Sequence, residues 1–392
     1  MGKSNPTNKI HKKPAEIKTF PVSFATDTIK DNFSISSSPS TQPSKEQLIN
    51  QALKCHSEGN ISEATKYYQY FINQGCQDHR VFSNYGIILK NLGNLQDAEL
   101  STRKAIKLNP NSAEAHYNLG IILKDLGNLQ DAELSYRKAI KLNPNSAEAN
   151  YNLGILLNNL GNLQEAEFLT RKAIEIKPDY ADAYSNLGII LNNLGKLKEA
   201  ELLTRKAIKI KPDFAEGYAN LGLILRDLGD LQEAEISTRK AIKIKSDLAE
   251  GYANLGLILR DVGDLQEAEQ SYRKAIKIKS DFANAYLNLG SLLKDIGNLN
   301  EAEQFYRKAI KIKPDLIDAH LNLGALLKDI GKLNEAEESF LKVIEINPEF
   351  EIAYSYLGHL LLNKGKHIEG IKNIKKGTGF IEFDLINGLS IN

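Results

Sequence analysis

Residues 113–146 read AEAHYNLGIILKDLGNLQDAELSYRKAIKLNPNS. Leu119, Leu123 and Leu126 lie four and three apart, the spacing of one helical face. Gly127 follows, where a helix end takes a left-handed residue. Asn128, with Asp131 three positions on, has the capping-box arrangement that opens a second helix. The same pair recurs as Asn162/Glu165, Asp230/Glu233, Asp264/Glu267 and Asn298/Glu301. Within the second helix Leu129, Ala132, Tyr136, Ala139 and Ile140 share an inner face. Pro144 cannot continue a helix and closes the unit, and Asn145 with Glu148 is expected to cap the next one. Gly120 and Ala132 are small where the two backbones must approach, and Ala139 is small against the following unit.

With Ala113 as position 1, a shift of 34 residues in either direction preserves the pattern without a gap. It runs from Lys45 to Phe350 as nine units, and a tenth starts at Glu351 and decays after about Lys376. A fixed period of this size signals stacked supersecondary units that share one continuous core. The expected organisation is an extended N-terminal segment over 1–44, nine units over 45–350, a degenerate capping unit over 351–376 and a short tail over 377–392. Two neighbouring units, 215–248 and 249–282, differ only at Leu228/Val262, Ile236/Gln270, Thr238/Tyr272 and Leu248/Phe282, the mark of recent tandem duplication. Alternation of Phe20, Val22 and Phe24, and of Ile381, Phe383, Leu385, Leu389 and Ile391, suggests short strands in otherwise loose ends, suited to pairing with a partner or with each other.

Composition excludes several classes. Lys and Arg number 50 against 49 Asp and Glu, a net charge of +1, so no overall field steers the chain to nucleic acid or an anionic membrane. There is no apolar run near the roughly 20 residues a membrane span needs. Lys3, Lys9, Lys12 and Lys13 are not followed by a signal-peptide core. Cys55 and Cys76 form no disulfide framework, and Cys55 falls on a core position. A cytoplasmic location is expected. No two of the seven histidines are spaced i, i+4, and HExxH, phosphate-loop and nucleophile-elbow motifs are absent from the sequence. The chain is therefore expected not to be an enzyme and to need no metal or cofactor.

These residues resemble the tetratricopeptide repeat (TPR) family. Its pattern of an aromatic at position 4, Leu-Gly at 7–8, Ala at 20, an aromatic at 24, Ala at 27 and Pro at 32 is matched in one unit by Tyr184, Leu187, Gly188, Ala200, Ala207 and Pro212, departing only at position 24, where Thr204 stands. The resemblance covers about 330 of 392 residues. Departures are Thr102, Thr170, Thr204 and Thr238 at position 24, expected to pack less apolar area, and Ser246 and Ser280 at position 32, where the helix stop is expected to be less sharp. The first unit has Ala52, Phe71 and Cys76 in place of Gly, Ala and Pro, as an end unit would. The resemblance implies an all-α, right-handed superhelical solenoid whose first helices line a concave groove with positions 2, 5, 6, 9, 12 and 13.

Position 6 is asparagine in nine units: Asn50, Asn84, Asn118, Asn152, Asn186, Asn220, Asn254, Asn288 and Asn322. Each amide offers a donor and an acceptor to the backbone of an extended peptide, whatever its sequence. The units also resemble the asparagine ladder of O-GlcNAc transferase repeats, although no glycosyltransferase domain follows. Beside the amides, Ile87, Ile121, Ile155, Ile189, Leu223 and Leu257 form an apolar strip at position 9. Lys90, Lys124, Arg226, Arg260, Lys294 and Lys328 form a basic row at position 12, interrupted by Asn158 and Asn192 and expected to favour acidic ligand residues. The competing role for the asparagines is to tie neighbouring units together. The expected function is a protein- or peptide-binding scaffold or adaptor, with protein or extended peptide as partner, no nucleic acid and no membrane insertion. Self-association is left open, and the alternative is the substrate-recruiting part of a modifying enzyme of glycosyltransferase, sulfotransferase or oxygenase type. Glu and Arg four apart, from Glu99/Arg103 to Glu303/Arg307, mark the outer face of the second helices.

Overall fold

The computed structural model describes residues 44–75 and 77–377, together with the backbone of 381–384 and 388–391. Twenty helices follow one another in antiparallel pairs. In the third unit they are Ala113–Asp125 and Leu129–Leu142, and the other units repeat these bounds to within one residue, as in Ile61–Asn73 and Ala249–Val262, with Glu351–Asn363 and the shorter His367–Lys376 at the end. The chain is an all-α solenoid of helix-turn-helix units.

The turn between paired helices is built on the glycine at position 15. Gly127 has φ of +81°, and the equivalent glycine of every other unit is left-handed too. Nothing lies within 4 Å of a Cβ added there, so the requirement is one of backbone conformation rather than of space. The capping boxes differ from expectation. The side chains of Asn128, Asn162 and Asn298 make no cap hydrogen bond, while Asp230 and Asp264 accept from the amides of Glu233 and Glu267. The reciprocal half of the box has no donor left, because the Asn128 amide already donates to Leu123 O at 2.9 Å. Asn162 and Asn298 instead donate from Nδ2 to the carboxylates of Glu165 and Glu301. Entry to the next unit is also capped one residue later than expected: Ser146, not Asn145, accepts from Ala149 N at 3.2 Å.

The core is a close contact between the Gly at position 8 and the residue at position 24. A Cβ on Gly120 would sit 2.6 Å from the Tyr136 ring, and one on Gly188 would sit 2.0 Å from Thr204 Oγ1. Threonine at position 24 is fully buried, and Thr102, Thr170 and Thr238 donate their hydroxyls to the carbonyls of Ala98, Ala166 and Ala234. In these three the smaller apolar area is accompanied by a satisfied polar group, whereas the Thr204 hydroxyl is buried without a partner. Serine at position 32 does not blunt the helix end, contrary to expectation. The helix before Ser246 stops at Ile244 with Lys245 extended, as the helix before Pro212 stops at Ile210 with Lys211 extended. The stop is held by a turn, with Leu248 N donating to Lys245 O, and needs no proline.

First helices of successive units touch along most of the array, whereas successive second helices stand apart. The stack therefore closes on the first-helix side, which is concave, and splays on the outer side. Cys55 is buried in the first unit's core. At the other end Ile381–Asp384 pairs antiparallel with Gly388–Ile391, so this segment's strands pair with each other. The alternating residues Phe20 to Phe24 lie outside the described residues.

Candidate functional site: the inner groove

Positions 2, 5, 6, 9, 12 and 13 belong to the first helices, which bring them to the closed side of the stack. The amides at position 6 are not free in both senses. Their Nδ2 groups reach back one unit, chiefly to position 5. Asn118 donates to Ser83 Oγ at 3.0 Å, Asn152 to Tyr117 Oη at 2.9 Å, Asn220 to Ser185 Oγ at 3.0 Å and Asn254 to Ala219 O at 3.2 Å. Asn322 uses Ser291 Oγ at 3.4 Å, and Asn84 donates within its own helix to Arg80 O. For Asn186 the preceding position 5 is Tyr151 rather than a serine, and its Nδ2 is buried without a partner.

The donor expected to meet a ligand is therefore committed to the neighbouring unit in most rungs. The acceptor is not. Among the described residues no donor meets the amide oxygens of Asn118, Asn152, Asn186, Asn220, Asn254, Asn288 or Asn322, whereas the Asn84 side chain is hydrogen-bonded to His56. Position 5, expected from the family resemblance only to line the groove, supplies the tie and adds chemistry of its own. Burial pushes the Tyr117 phenol up and the Tyr151 phenol to about 12, so both stay protonated at neutral pH. Tyr117 Oη accepts from Asn152, which leaves its own proton to donate.

Ile87, Ile121, Ile155, Ile189, Leu223 and Leu257 at position 9 are half-buried, an apolar strip partly open to the groove. The basic row at position 12 is set differently from a free charge row. Each member reaches forward to position 13 of the next unit: Lys90 to Asp125 at 3.4 Å, Lys294 to Asp329 at 3.8 Å, and Arg226 and Arg260 to Asp261 and Asp295. Where position 12 is asparagine the rung persists, with Asn192 donating to Asp227 at 2.6 Å and Asn193 donating to Asn158 at 3.1 Å. The exceptions are Lys328, for which the next unit presents Asn363 and which has no ion pair among the described residues, and Lys124. For Lys124 the next unit presents Asn159, and the ammonium lies 3.8 Å from its own neighbour Asp125, which Lys90 already engages. The charges of Arg226 and Arg260 are thus compensated inside the chain. Comparing position 12 of one unit with position 13 of the next, 35 residues on, exposes this pairing in the sequence.

The outer face is cross-linked in a similar way. Arg137 binds Glu133 in its own helix and Glu165 in the next unit, and Arg171, Arg205, Arg239, Arg273 and Arg307 repeat the arrangement. The Arg137 guanidinium holds Glu165 below the ordinary carboxylate range. His116 and His320, at position 4, each donate from Nε2 to the proline carbonyl of the unit before, at 3.0 and 2.9 Å. Among the described residues no group of three or more His, Cys, Asp or Glu is placed to hold a metal ion, and no helix is long and apolar enough to cross a membrane.

Sequence profiles described as tetratricopeptide repeat match residues 113–146, 181–214, 317–350, 247–315, 135–168 and 215–248, and one described as TPR repeat matches 86–127. Together they span well over half of the 392 residues. The chain belongs to the tetratricopeptide repeat family. Among solved structures, the crystal structure of MamA is similar at 29% identity over 40% of this chain and 91% of that one, with a TM-score of 0.37. No curated protein matches. Membership in the TPR family supports a protein-interaction scaffold in general.

Proposed function

We propose that this TPR chain is a scaffold that takes an extended protein segment along its concave groove, with Asn118, Asn152, Asn186, Asn220, Asn254, Asn288 and Asn322 accepting hydrogen bonds from the segment's backbone amides. The observation that supports this is the row of amide oxygens without an internal donor, held at unit spacing by amide nitrogens tied to the preceding unit. An acceptor whose orientation is already fixed loses little freedom on binding. Ile121, Ile155, Ile189, Leu223 and Leu257 take apolar side chains of the segment. Lys124, whose carboxylate neighbour Asp125 is shared with Lys90, and Lys328 supply the cations without a partner in the next unit, while Arg226 and Arg260 shape the wall through their ion pairs.

Four backbone hydrogen bonds at about 0.5–1.5 kcal/mol each contribute roughly 2–6 kcal/mol. The test replaces Asn152, Asn186, Asn220 and Asn254 together by alanine, and compares partners captured by the full chain and by the variant, then their affinities in a titration. A loss of affinity of at least tenfold with helix content retained is the expected outcome. Partners that bind the variant normally remove the groove from consideration. A second reading, recruitment of substrates for a modifying enzyme on another chain, draws on the same row, because backbone recognition accepts many sequences. It predicts that captured partners carry a common modification, which depends on a second protein.

A further inference from the structure

The outer face carries a feature that groove binding does not use. Position 22 of the second helix is apolar in five successive units, Leu100, Leu134, Phe168, Leu202 and Ile236, and each side chain is between 61% and 67% exposed. Single exposed hydrophobes are ordinary on a protein surface. Five in the same register of adjacent helices form a line, and lines of this kind mark interaction surfaces. The line is bounded by charge and amide on both sides, Lys66 in the first unit and Gln270, Gln304 and Glu338 in units seven to nine. The near-identical units 215–248 and 249–282 differ at four positions, and Ile236/Gln270 is one of them. The edge of the line thus falls between two copies of one sequence.

The splay of the second helices opens grooves beside this line. One, of about 240 Å³, is lined by Ile72, Phe82, Tyr85, Leu89 and Leu100, with Lys104 and Asp97 as its charged residues. Another, of about 410 Å³, is floored by Ile106 and Leu119 and edged by Leu134, Lys107 and Lys138. A large apolar side chain fits such a groove.

Charge decides what kind of partner this is. The acidic residues at positions 19 and 21 are largely engaged by arginine, as in Glu133 and Glu165 with Arg137, Glu167 and Glu199 with Arg171, and Glu201 and Glu233 with Arg205. The lysines one turn beyond position 22 are not neutralised. Lys104, Lys138, Lys172, Lys206 and Lys240 have no carboxylate within ion-pair distance among the described residues, and neither do Lys107, Lys141, Lys209 and Lys243 after them. Lys206 and Lys240 lie 4.4 Å over the rings of Tyr184 and Tyr218, which orients the ammonium without cancelling its charge. On the inner side, by contrast, most basic groups are paired. Glu175 breaks the position 29 row in unit four, and Asp97 and Asp131 are also without an ion pair among the described residues, but the nine free lysines outnumber these acids, so the balance beside the apolar line is positive in a chain whose net charge is only +1.

We propose that the outer face of units two to six is a second docking surface, for an acidic protein segment that carries large apolar side chains. The apolar residues of the segment sit on the position 22 line and dip into the adjoining grooves, while its carboxylates meet the lysine rows at positions 26 and 29. A polypeptide can follow the convex side from unit to unit. A bilayer is flat and meets such a side at few units at a time, so an anionic membrane is the less suited occupant. The surface is separate from the inner groove, so a partner in one leaves the other open.

The test uses the full chain and three probes: an 18-residue peptide of leucine and glutamate in amphipathic helical order, its leucine–lysine counterpart, and vesicles containing 30% phosphatidylserine. Fluorescence anisotropy reads the peptides and co-sedimentation reads the vesicles. Saturable binding of the glutamate peptide is expected, with at least tenfold weaker binding of the lysine peptide. Replacing Leu100, Leu134, Phe168, Leu202 and Ile236 by glutamine, the residue this chain itself places at 270 and 304, is expected to weaken the glutamate peptide at least tenfold at unchanged melting temperature. Replacing Lys104, Lys138, Lys172, Lys206 and Lys240 by glutamine is expected to weaken it and to flatten its salt dependence. Alanine at Asn152, Asn186, Asn220 and Asn254 leaves this binding unchanged, which separates the surface from the groove. The proposal is overturned by failure of the glutamate peptide to bind at 1 mM, by equal binding of both peptides, by indifference to the five-glutamine variant, by retention on vesicles alone, or by a dimer that the five-glutamine variant dissolves.

Discussion

Asn186 and Asn220 occupy the same position in adjacent units, yet alanine is expected to affect them with opposite sign. The Asn220 amide donates to Ser185 Oγ at 3.0 Å, and Ser185 is only 2% exposed. Alanine there removes an inter-unit hydrogen bond of about 0.5–1.5 kcal/mol and leaves the serine oxygen buried without its donor, which costs about 1–3 kcal/mol more at the upper limit. The gain in helix propensity, at most about 0.7 kcal/mol, offsets only part of this. A net destabilisation of about 1–2 kcal/mol follows. At Asn186, where the preceding position 5 is a tyrosine, no hydrogen bond is lost, because its Nδ2 is buried without a partner. Alanine removes the unmet donor and keeps the propensity gain, for a net stabilisation of about 0.5–1 kcal/mol. The two variants are thus separated by about 2 kcal/mol. Urea unfolding followed by circular dichroism gives the midpoints. Hydrogen exchange in the first helices of units five and six, Ala181–Asn193 and Ala215–Asp227, localises the effect, since stability in a repeat array is distributed over units. Equal shifts for Asn186→Ala and Asn220→Ala would refute the reasoning, because the residue behind each amide would then be irrelevant to its role.

Leu187, 1% exposed, is expected to cost about 2–5 kcal/mol on truncation to alanine, and the thermal transition to broaden or split as unit five loosens before its neighbours. Gly188→Ala brings a Cβ to 2.0 Å from Thr204 Oγ1 and 3.2 Å from Ala200 O, an overpacking expected to cost about 1–3 kcal/mol. Combining it with Thr204→Ala, which removes that oxygen, should recover part of the loss, and a double-mutant cycle showing no coupling would discount the contact. Arg137 beside Glu165, Lys332 beside Glu303 and Lys364 beside Glu337 hold these carboxylates below the ordinary glutamate value of about 4.3. Their stabilising effect is complete above that value and is lost as pH falls through the depressed folded-state values. An acid titration of the melting temperature should therefore drop below pH 4.3, and Arg137→Gln should shallow the drop. A melting temperature indifferent to acid would contradict this.

The paired helices and the left-handed glycine at each turn are legible from one unit, because they depend on contacts within about twenty residues, and the period is legible from comparing units. What escaped is mostly what crosses between units. Asn128 looks like the start of a capping box, yet its amide is taken by a carbonyl of the helix before it. Arg226 and Arg260 look like free cations when each unit is read alone, and their partners Asp261 and Asp295 stand 35 residues further on. The amides at position 6 were legible as a row, but whether each nitrogen is committed depends on position 5 of the unit before, serine for Asn220 and tyrosine for Asn186. Ser246 and Ser280 misled for a related reason. Proline is a strong sign of a helix end, but here a backbone turn performs the stop whether proline is present or not.

The rungs that join positions 12 and 13 always step forward by one unit. Inserting or excising one of the near-identical blocks 215–248 or 249–282 therefore leaves the seam with the same mates, although Lys124, opposite Asn159, forms no such rung. The two copies at 215–248 and 249–282 illustrate it: Arg226 reaches Asp261 within the pair, and Arg260 reaches Asp295 across its far edge. The molecule can grow or shrink in quanta of one unit without redesign of any joint, and a gene that gains or loses a copy yields a folded product at once. The length of the inner groove is then adjustable like a ruler, one graduation at a time.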